Sequence, residues 1–188
     1  MSEAIDLDPH LFGDGQPCFG CAQDHPTGFR MRFAREGEAV TTRFTPTTAH
    51  QGPPGLMHGG LAMTLADEIG AWTIVGLLGK FGFTATFGAK LRKPVRIGAE
   101  VVGRGSIAKA GSRVVSVAVS LDQGGVRVLD GDVSFVLVDQ QLGRPLPGPS
   151  DRGHDSPVTP GDVEIGPRSV RRPTAQREEK LLLTRSQP

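Results

Sequence analysis

The sequence is poor in cysteine and in net charge, and both shortages narrow the classes of protein to which it can belong. Among 188 residues, only Cys18 and Cys21 are cysteines, so a framework of several disulfides is excluded. Their CxxC motif has no second cysteine pair and no histidine at zinc-finger spacing, so we predict neither a metal site nor a cofactor. The 21 basic and 20 acidic side chains leave a net charge of +1, which gives no overall field for gathering nucleic acid or an anionic membrane.

The N-terminal 17 residues also lack the pattern of a secretory signal, because they contain acidic side chains and no long apolar run. A cytoplasmic location is therefore expected. The most apolar stretch, residues 59–79, carries the carboxylates Asp67 and Glu68. Each would cost roughly 2.5 to 3.5 kcal/mol at the centre of a membrane-spanning helix. We therefore expect a buried helix and no membrane association.

Three regions of different composition divide the chain. Residues 1–28 are rich in Asp, Gly and Pro and predict an irregular N-terminal lead-in. Residues 29–142 carry the regular apolar patterns and predict one folded domain. Residues 143–188 hold 8 of the 15 prolines and little apolar periodicity, so we predict a disordered tail rich in Pro and Arg.

The apolar patterns of the folded domain predict two strands, one long helix and about four further strands. The strand candidates are residues 29–34, 40–45, 83–93, 99–107, 112–121 and 126–138, with a hairpin turn at Gly124-Gly125. Apolar side chains recur at helical spacing at Leu61, Leu65, Ile69 and Trp72, and the alanines beside them make the helix apolar almost all round. Such a helix must be covered by other elements. The sequence therefore predicts an α+β fold, with an antiparallel β-sheet of about five to six strands wrapped around a long central helix.

The start of this helix and its two acids are the candidates for chemistry. In His58-Gly59-Gly60, unpaired amides at a helix N-terminus carry partial positive charge, and the glycines allow a developing oxyanion to approach closely. Alternatively, the glycines only let the loop turn tightly. An unpaired carboxyl group at Asp67 or Glu68, placed against an apolar sheet, has a raised pKa. A raised pKa is typical of functional acids. Adjacent helical residues point about 100° apart, so we expect different jobs for the two acids, with one of them facing solvent or capped.

Gly59 and Asp67 are too far apart on one helix to act on the same carbonyl group. Eight residues at 1.5 Å each separate them by roughly 12 Å along the helix axis. An oxyanion donor and a base or nucleophile each have to lie about 3 Å from the reacting atoms. If both residues act, a second subunit must therefore supply one of them.

A cluster of basic residues follows the helix. Lys90, Arg92, Lys93 and Arg96 place four cations within seven residues, and Lys90 and Arg92 share one face of a predicted strand. Such a cluster is suited to binding phosphate groups. Solubilising charges on an exposed strand give the same pattern, so both interpretations stay open.

Two segments carry a resemblance to a known family. The run from Gln51 to Gly60, followed by Leu65-Ala66-Asp67-Glu68, resembles the hotdog-fold thioesterase superfamily, especially its phenylacetate-type acyl-CoA thioesterase branch. The run from Cys18 to Cys21, followed by Pro26-Thr27-Gly28-Phe29, resembles the N-terminal signature of many members. The resemblance covers about residues 18–139. It implies a hotdog fold and a homodimer whose sheets join, or a homotetramer of two such dimers.

The resemblance also implies an activity, the hydrolysis of an aryl- or fatty acyl-CoA thioester to the free acid and CoA. By position, Gly59 would donate its amide to the thioester oxygen, and Asp67 of the neighbouring subunit would activate water or attack the carbonyl carbon. His58 would orient the loop or the thioester, and Thr84 matches a hydroxyl that helps to hold the attacking water. The substrate-binding candidates are Gly60, Gln51, Lys90 and Arg92, the last two as partners of the CoA phosphates.

One position departs from the family pattern. Relatives often carry Asn or Gln six residues before the histidine, where this chain has Gly52. Gln51 would substitute if the proline-rich loop differs in register, and otherwise this polar contact is missing. A non-catalytic acyl-CoA-binding or regulatory protein on the same fold is the alternative function, since fold does not fix function. A hotdog dehydratase is disfavoured because no histidine lies between Gly59 and Gly153.

Overall fold

The computed structural model describes residues 4–13 and 15–138, which form one long helix and seven strands. In chain order these are β1 (Ile5–Asp6), β2 (Phe33–Glu36), β3 (Ala39–Phe44), α1 (Gly59–Leu78), β4 (Phe81–Leu91), β5 (Val101–Ala110), β6 (Val114–Gln123) and β7 (Val126–Val138). A single 3-10 turn, Thr48–His50, precedes the proline-rich loop. The tail predicted for residues 143–188 lies outside the described residues.

The seven strands form a single antiparallel sheet in the order β1-β2-β3-β5-β6-β7-β4. The predicted α+β fold with a sheet around one long helix is confirmed. The count of seven strands is slightly above the predicted five to six, because the sheet gains the short strand β1, which pairs with β2 through only Ile5 and Asp6. A two-residue strand is too short to show the alternation by which strands are recognised in a sequence.

The strands of the second half follow their predicted pattern closely. In β6, Val115, Val117, Val119 and Leu121 are all buried and alternate with partly exposed residues. Gly124 and Gly125 join β6 to β7 with φ values of 58° and 76°. Positive φ at both central residues is the requirement of the type I′ hairpin turn, so the predicted turn is confirmed.

The helix α1 packs against the sheet with its apolar residues in the core. Leu65, Ile69 and Ile74 are completely buried. By length and composition alone, the helix would also be long and apolar enough to cross a membrane. On β5, a Cβ atom at Gly103 or Gly105 would overlap with side chains of α1. The glycines therefore let the strand pass close to the helix.

The N-terminal segment before β2 covers the side of α1 that the sheet leaves open. Phe12, Cys21, Phe29 and Met31 are buried members of the core. The ring of Trp72 on α1 packs edge-on against Phe12 at 5.8 Å between centroids. This segment therefore forms one wall around the middle of the helix, where the two acids lie.

Candidate functional site

The proline-rich loop before α1 is held in place by hydrogen bonds. Gln51 Oε1 accepts a hydrogen bond of 2.9 Å from the Gly55 amide, and a β-bridge joins Gln51 to Met57. The Met57 amide donates to the Val95 carbonyl at 2.8 Å. The side chain of Gln51 thus closes the loop on itself. At Gly52, an added Cβ would lie 3.1 Å from His58 Cα, so the loop packs tightly at this position.

His58 caps the start of α1. Its Nδ1 accepts a 3.1 Å hydrogen bond from the Gly60 amide, and its backbone amide donates to the His50 carbonyl at 2.9 Å. A Cβ at Gly60 would lie 3.1 Å from the imidazole, so glycine lets the ring sit over the first turn. Gly59 is the first helical residue, and its amide has no acceptor within the helix. The donor is therefore available to an anion outside the helix.

Two turns further along α1, Asp67 is paired with the edge strand. The Thr84 hydroxyl donates a hydrogen bond of 2.8 Å to Asp67 Oδ1. The pairing of β4 with β7 shifts register between Thr84 and Thr86, and such a bulge redirects the side chains beside it. Burial raises the pKa of the Asp67 carboxyl, and the hydrogen bond from Thr84 partly opposes this by favouring the charged form.

Asp67 and Thr84 share a cavity of about 190 Å³, named here the Asp67 cavity. Its walls combine polar side chains with an apolar surface, and the lining residues are Phe12, Gln16, Cys18, Cys21, Asp67, Glu68, Ala71, Trp72, Val75, Phe81, Gly82, Phe83 and Thr84. Both acids of the helix are half-buried and line this cavity. Neither acid is the solvent-facing one that the sequence led us to expect: the Thr84 hydroxyl donates to Asp67, and the N-terminal segment covers Glu68.

Glu68 contacts the CxxC motif, a contact that the sequence analysis missed. A hydrogen bond joins Cys18 Sγ and Glu68 Oε1 at 3.3 Å. Burial raises the pKa of Glu68 to about 8, and a hydrogen bond from Cys21 lowers the pKa of Cys18 to about 5. The same hydrogen bond, together with burial, raises the pKa of Cys21. Fifty residues separate Cys18 from Glu68, so no local spacing could have linked them.

Gly59 lines a second cavity of about 260 Å³, named here the Gly59 cavity, together with Leu91, Arg92 and Lys93 among others. The structure therefore brings Arg92, but not Lys90, to the start of the helix. Arg92 Nε also forms an ion pair of 2.7 Å with Asp130. No residue lines both cavities, and along α1 Gly59 and Asp67 are roughly 12 Å apart. One protomer thus presents the two predicted halves of the site in separate places.

The comparisons with known proteins agree with the fold. Residues 54–129 match the sequence profile of the Thioesterase superfamily, whereas no curated protein matches the chain. The fold is similar to that of a thioesterase superfamily protein (23% identity, TM-score 0.53), over 56% of this chain and 53% of the other, about half its length. It is also similar to a hypothetical thioesterase from Streptococcus pneumoniae crystallised with coenzyme A (20% identity, TM-score 0.53, 57% and 86% covered). Zebra fish thioesterase superfamily member 2 is a further match (19% identity, TM-score 0.56, 62% and 90% covered).

Proposed function

Because residues 54–129 match the thioesterase superfamily and the fold is that of the hotdog thioesterases, we propose that the chain hydrolyses an acyl-CoA thioester to the free acid and CoA. The observation that carries this proposal is the Asp67 carboxylate, which faces a largely apolar cavity and is held there by the Thr84 hydroxyl at 2.8 Å. Coenzyme A as the carrier is supported by the S. pneumoniae thioesterase of similar fold that was crystallised with it.

The two halves of the site would divide the chemistry between them. The free amide of Gly59 would stabilise the oxyanion that forms when the thioester carbonyl is attacked. Asp67 would either take a proton from the attacking water or attack the carbonyl carbon itself. In both routes the carboxylate acts in its charged form, which is the form that the hydrogen bond from Thr84 favours. In the first route the water oxygen bonds to the carbonyl carbon, the C–S bond breaks, and the proton held by Asp67 passes to the CoA thiolate. In the second route CoA leaves as the thiolate and is protonated by water, and the anhydride formed on Asp67 is then hydrolysed by a water molecule to the free acid and the regenerated carboxylate.

We propose a homodimer in which Gly59 of one subunit and Asp67 of the other face the same substrate. The strand β4 lies at the edge of the sheet and carries two exposed apolar side chains, Phe83 at 58% and Leu91 at 47% exposure. An unpaired apolar edge is a surface on which a second strand readily adds. Thr84 and Leu91 lie on this edge and contact the Asp67 and Gly59 cavities respectively, so pairing two β4 strands would close both.

The size of the Asp67 cavity bears on the acyl group. Its 190 Å³ is below the roughly 300 Å³ at which small-molecule sites usually begin. Trp72 limits its depth, because the ring is stacked on Phe33 at 4.9 Å between centroids and packs against Phe12. We therefore propose an aryl or short acyl group in preference to a long fatty chain.

Thiol release from a panel of aryl- and fatty acyl-CoA esters tests the proposal. The native protein is expected to turn over the aryl or short-chain esters, and Asp67→Asn to lose roughly a hundredfold or more in kcat/KM, as for removal of a general base or nucleophile. Asp132→Asn is the matched control, since Asp132 is an exposed aspartate on β7 that lines neither cavity. If the native protein binds acyl-CoA but releases no thiol, the chain is instead a binding or regulatory protein. The tight packing at Gly52, in place of a polar side chain, favours that alternative.

A further inference from the structure

From the contacts between the CxxC motif and the central helix, we propose that Cys18, Cys21 and Glu68 bind a zinc ion. The three side chains present their ligand atoms within 4.8 Å of one another. In a tetrahedral site with Zn–S bonds of 2.3 Å and Zn–O bonds of about 2.1 Å, ligand atoms are roughly 3.6 to 3.8 Å apart. The separation of 3.3 Å between Cys18 Sγ and Glu68 Oε1 is close to this, and no pair of ligand atoms exceeds 4.8 Å, so the side chains need to shift only slightly to hold the ion.

The side chain of Gln16 contacts both cysteines: its Nε2 donates to Cys21 Sγ at 3.6 Å, while its Oε1 accepts from the Cys18 amide at 3.1 Å. Donors of this kind around sulfur form the outer shell that orients metal ligands and stabilises thiolates.

Gly20 shows that the motif is fitted to the carboxyl group. A Cβ at this position would lie 2.1 Å from Glu68 Cδ, well inside any real contact distance. The glycine therefore lets the CxxC loop close over the Glu68 side chain, and any other residue would push the third ligand out. This fit is independent of the distances between the ligand atoms.

The cluster has no positive partner in the described part of the chain. The ion pairs among residues 4–13 and 15–138 join other residues, and none includes Glu68. Two thiols and a carboxyl group in a partly buried place would gain from a divalent cation, which neutralises them when they lose their protons. Thiolate sulfur selects zinc over magnesium or calcium.

Three protein ligands leave a fourth coordination position. Cys18, Cys21 and Glu68 all line the Asp67 cavity, which Asp67 and Thr84 also face, so a zinc ion bound here would lie beside the proposed catalytic acid. A bound ion would tie the N-terminal segment to α1 and fix one wall of this cavity. This inference goes beyond thioester hydrolysis and does not depend on it, because metal binding is measured without substrate.

The test titrates Co²⁺ into the full-length, reduced and metal-free protein. We expect one Co²⁺ per chain, with the sulfur-to-cobalt charge-transfer absorption and the intense visible bands of a tetrahedral site, both abolished by stoichiometric Zn²⁺. Cys18→Ser and Cys21→Ser should remove the charge-transfer band or weaken it strongly. Glu68→Gln should weaken Co²⁺ binding about tenfold or more, since losing even an outer-shell partner costs 10- to 100-fold. Glu100→Gln, at an exposed carboxylate paired with Arg43, should change nothing.

Two results would overturn the proposal. One is a reduced native protein that gives no charge-transfer band and retains no zinc after dialysis. The other is a Glu68→Gln variant that binds Co²⁺ as tightly as the native chain, which would show that Glu68 on α1 is not a ligand. Because a variant could lose its fold, each is first checked for a cooperative melt. Zinc should raise the Tm of the native protein but not that of Cys18→Ser.

Discussion

Replacing Thr84 by Val tests how the edge strand positions the acid. Valine has nearly the shape of threonine and suits a strand, so the change removes the hydroxyl and little else. The lost interaction is a 2.8 Å hydrogen bond to Asp67 Oδ1. Hydrogen bonds to charged groups contribute about 1.5 to 3 kcal/mol, and Thr84 is exposed in the protomer, so the lower value applies. About 1.5 kcal/mol corresponds to a roughly tenfold loss in kcat/KM.

The assay is steady-state thiol release with the best substrate of the acyl-CoA panel. Thr84→Ser should restore kcat/KM to within about threefold of the native value, because it returns the hydroxyl that charge-assisted hydrogen bonding needs. Thr41→Val is the matched control, since Thr41 donates a 3.1 Å hydrogen bond to the Glu36 carboxylate in the β2–β3 hairpin, and neither residue lines the Asp67 cavity. An unchanged kcat/KM in Thr84→Val, or equal losses in the Val and Ser variants, would refute the reasoning.

Two further predictions concern packing and charge. Gly105→Ala should destabilise the fold by about 1 to 3 kcal/mol in urea unfolding, because its Cβ would overlap with side chains of α1, whereas Gly131→Ala meets only ordinary contacts and should cost less than about 1 kcal/mol. If Gly105→Ala is as stable as the native chain, β5 does not pack this closely. Lys90→Ala should raise KM for the CoA ester about two- to fivefold in low salt, because an exposed charge contributes up to about 1 kcal/mol to binding. The control Lys109→Ala, at another exposed lysine, should leave KM unchanged. Arg92→Ala should raise KM less than Lys90→Ala, since Arg92 already has a carboxylate partner; a larger effect at Arg92 would assign it the phosphate contact.

Much of the fold could be predicted because its strongest patterns are local. The helix from Gly59 to Leu78 is visible in the sequence as a long apolar run, and β6 and β7 as alternating residues around a Gly-Gly turn. The two-residue strand β1 has no such pattern, and its pairing depends on the tertiary position of the N-terminal segment.

The candidate site could be predicted only in part. Gly59 and Asp67 lie on one helix and His58 caps its start, so their spacing is fixed by helix geometry and can be worked out from the sequence. The contact of Cys18 with Glu68 depends on how a long irregular segment folds back over α1, which no periodicity specifies. The CxxC motif was visible, but its third ligand was not.

The ion pair between Arg92 and Asp130 is a further feature that the sequence hides. Lys90 and Arg92 are equivalent in the strand pattern, and both are predicted to bind phosphate. The register of β4 against β7 places Asp130 opposite Lys90, yet Arg92, just after the strand, is the residue that forms the ion pair with Asp130. The tertiary arrangement of the side chains therefore distinguishes two residues that look alike in the sequence.

The measurement that tests the central claim most directly is subunit complementation between Asp67→Asn and Gly59→Pro. Proline at the first helical position removes the amide donor, and its φ suits the helix start after the extended His58 (φ −62°, ψ 132°). The control Gly59→Ala keeps the amide and only brings its Cβ to 3.3 Å from the flexible end of Leu91. Each of the first two variants alone should be nearly inactive, and Gly59→Ala should stay active.

After the two inactive variants are unfolded and refolded together in equal amounts, half of the dimers are mixed, and each mixed dimer has one intact site. Because a two-fold dimer has two equivalent sites, the mixture should recover about a quarter of the native activity. Recovery of that size means that Gly59 and Asp67 act on one substrate from different subunits. If differently tagged chains prove that mixed dimers have formed and no thiol is released, the shared site is contradicted.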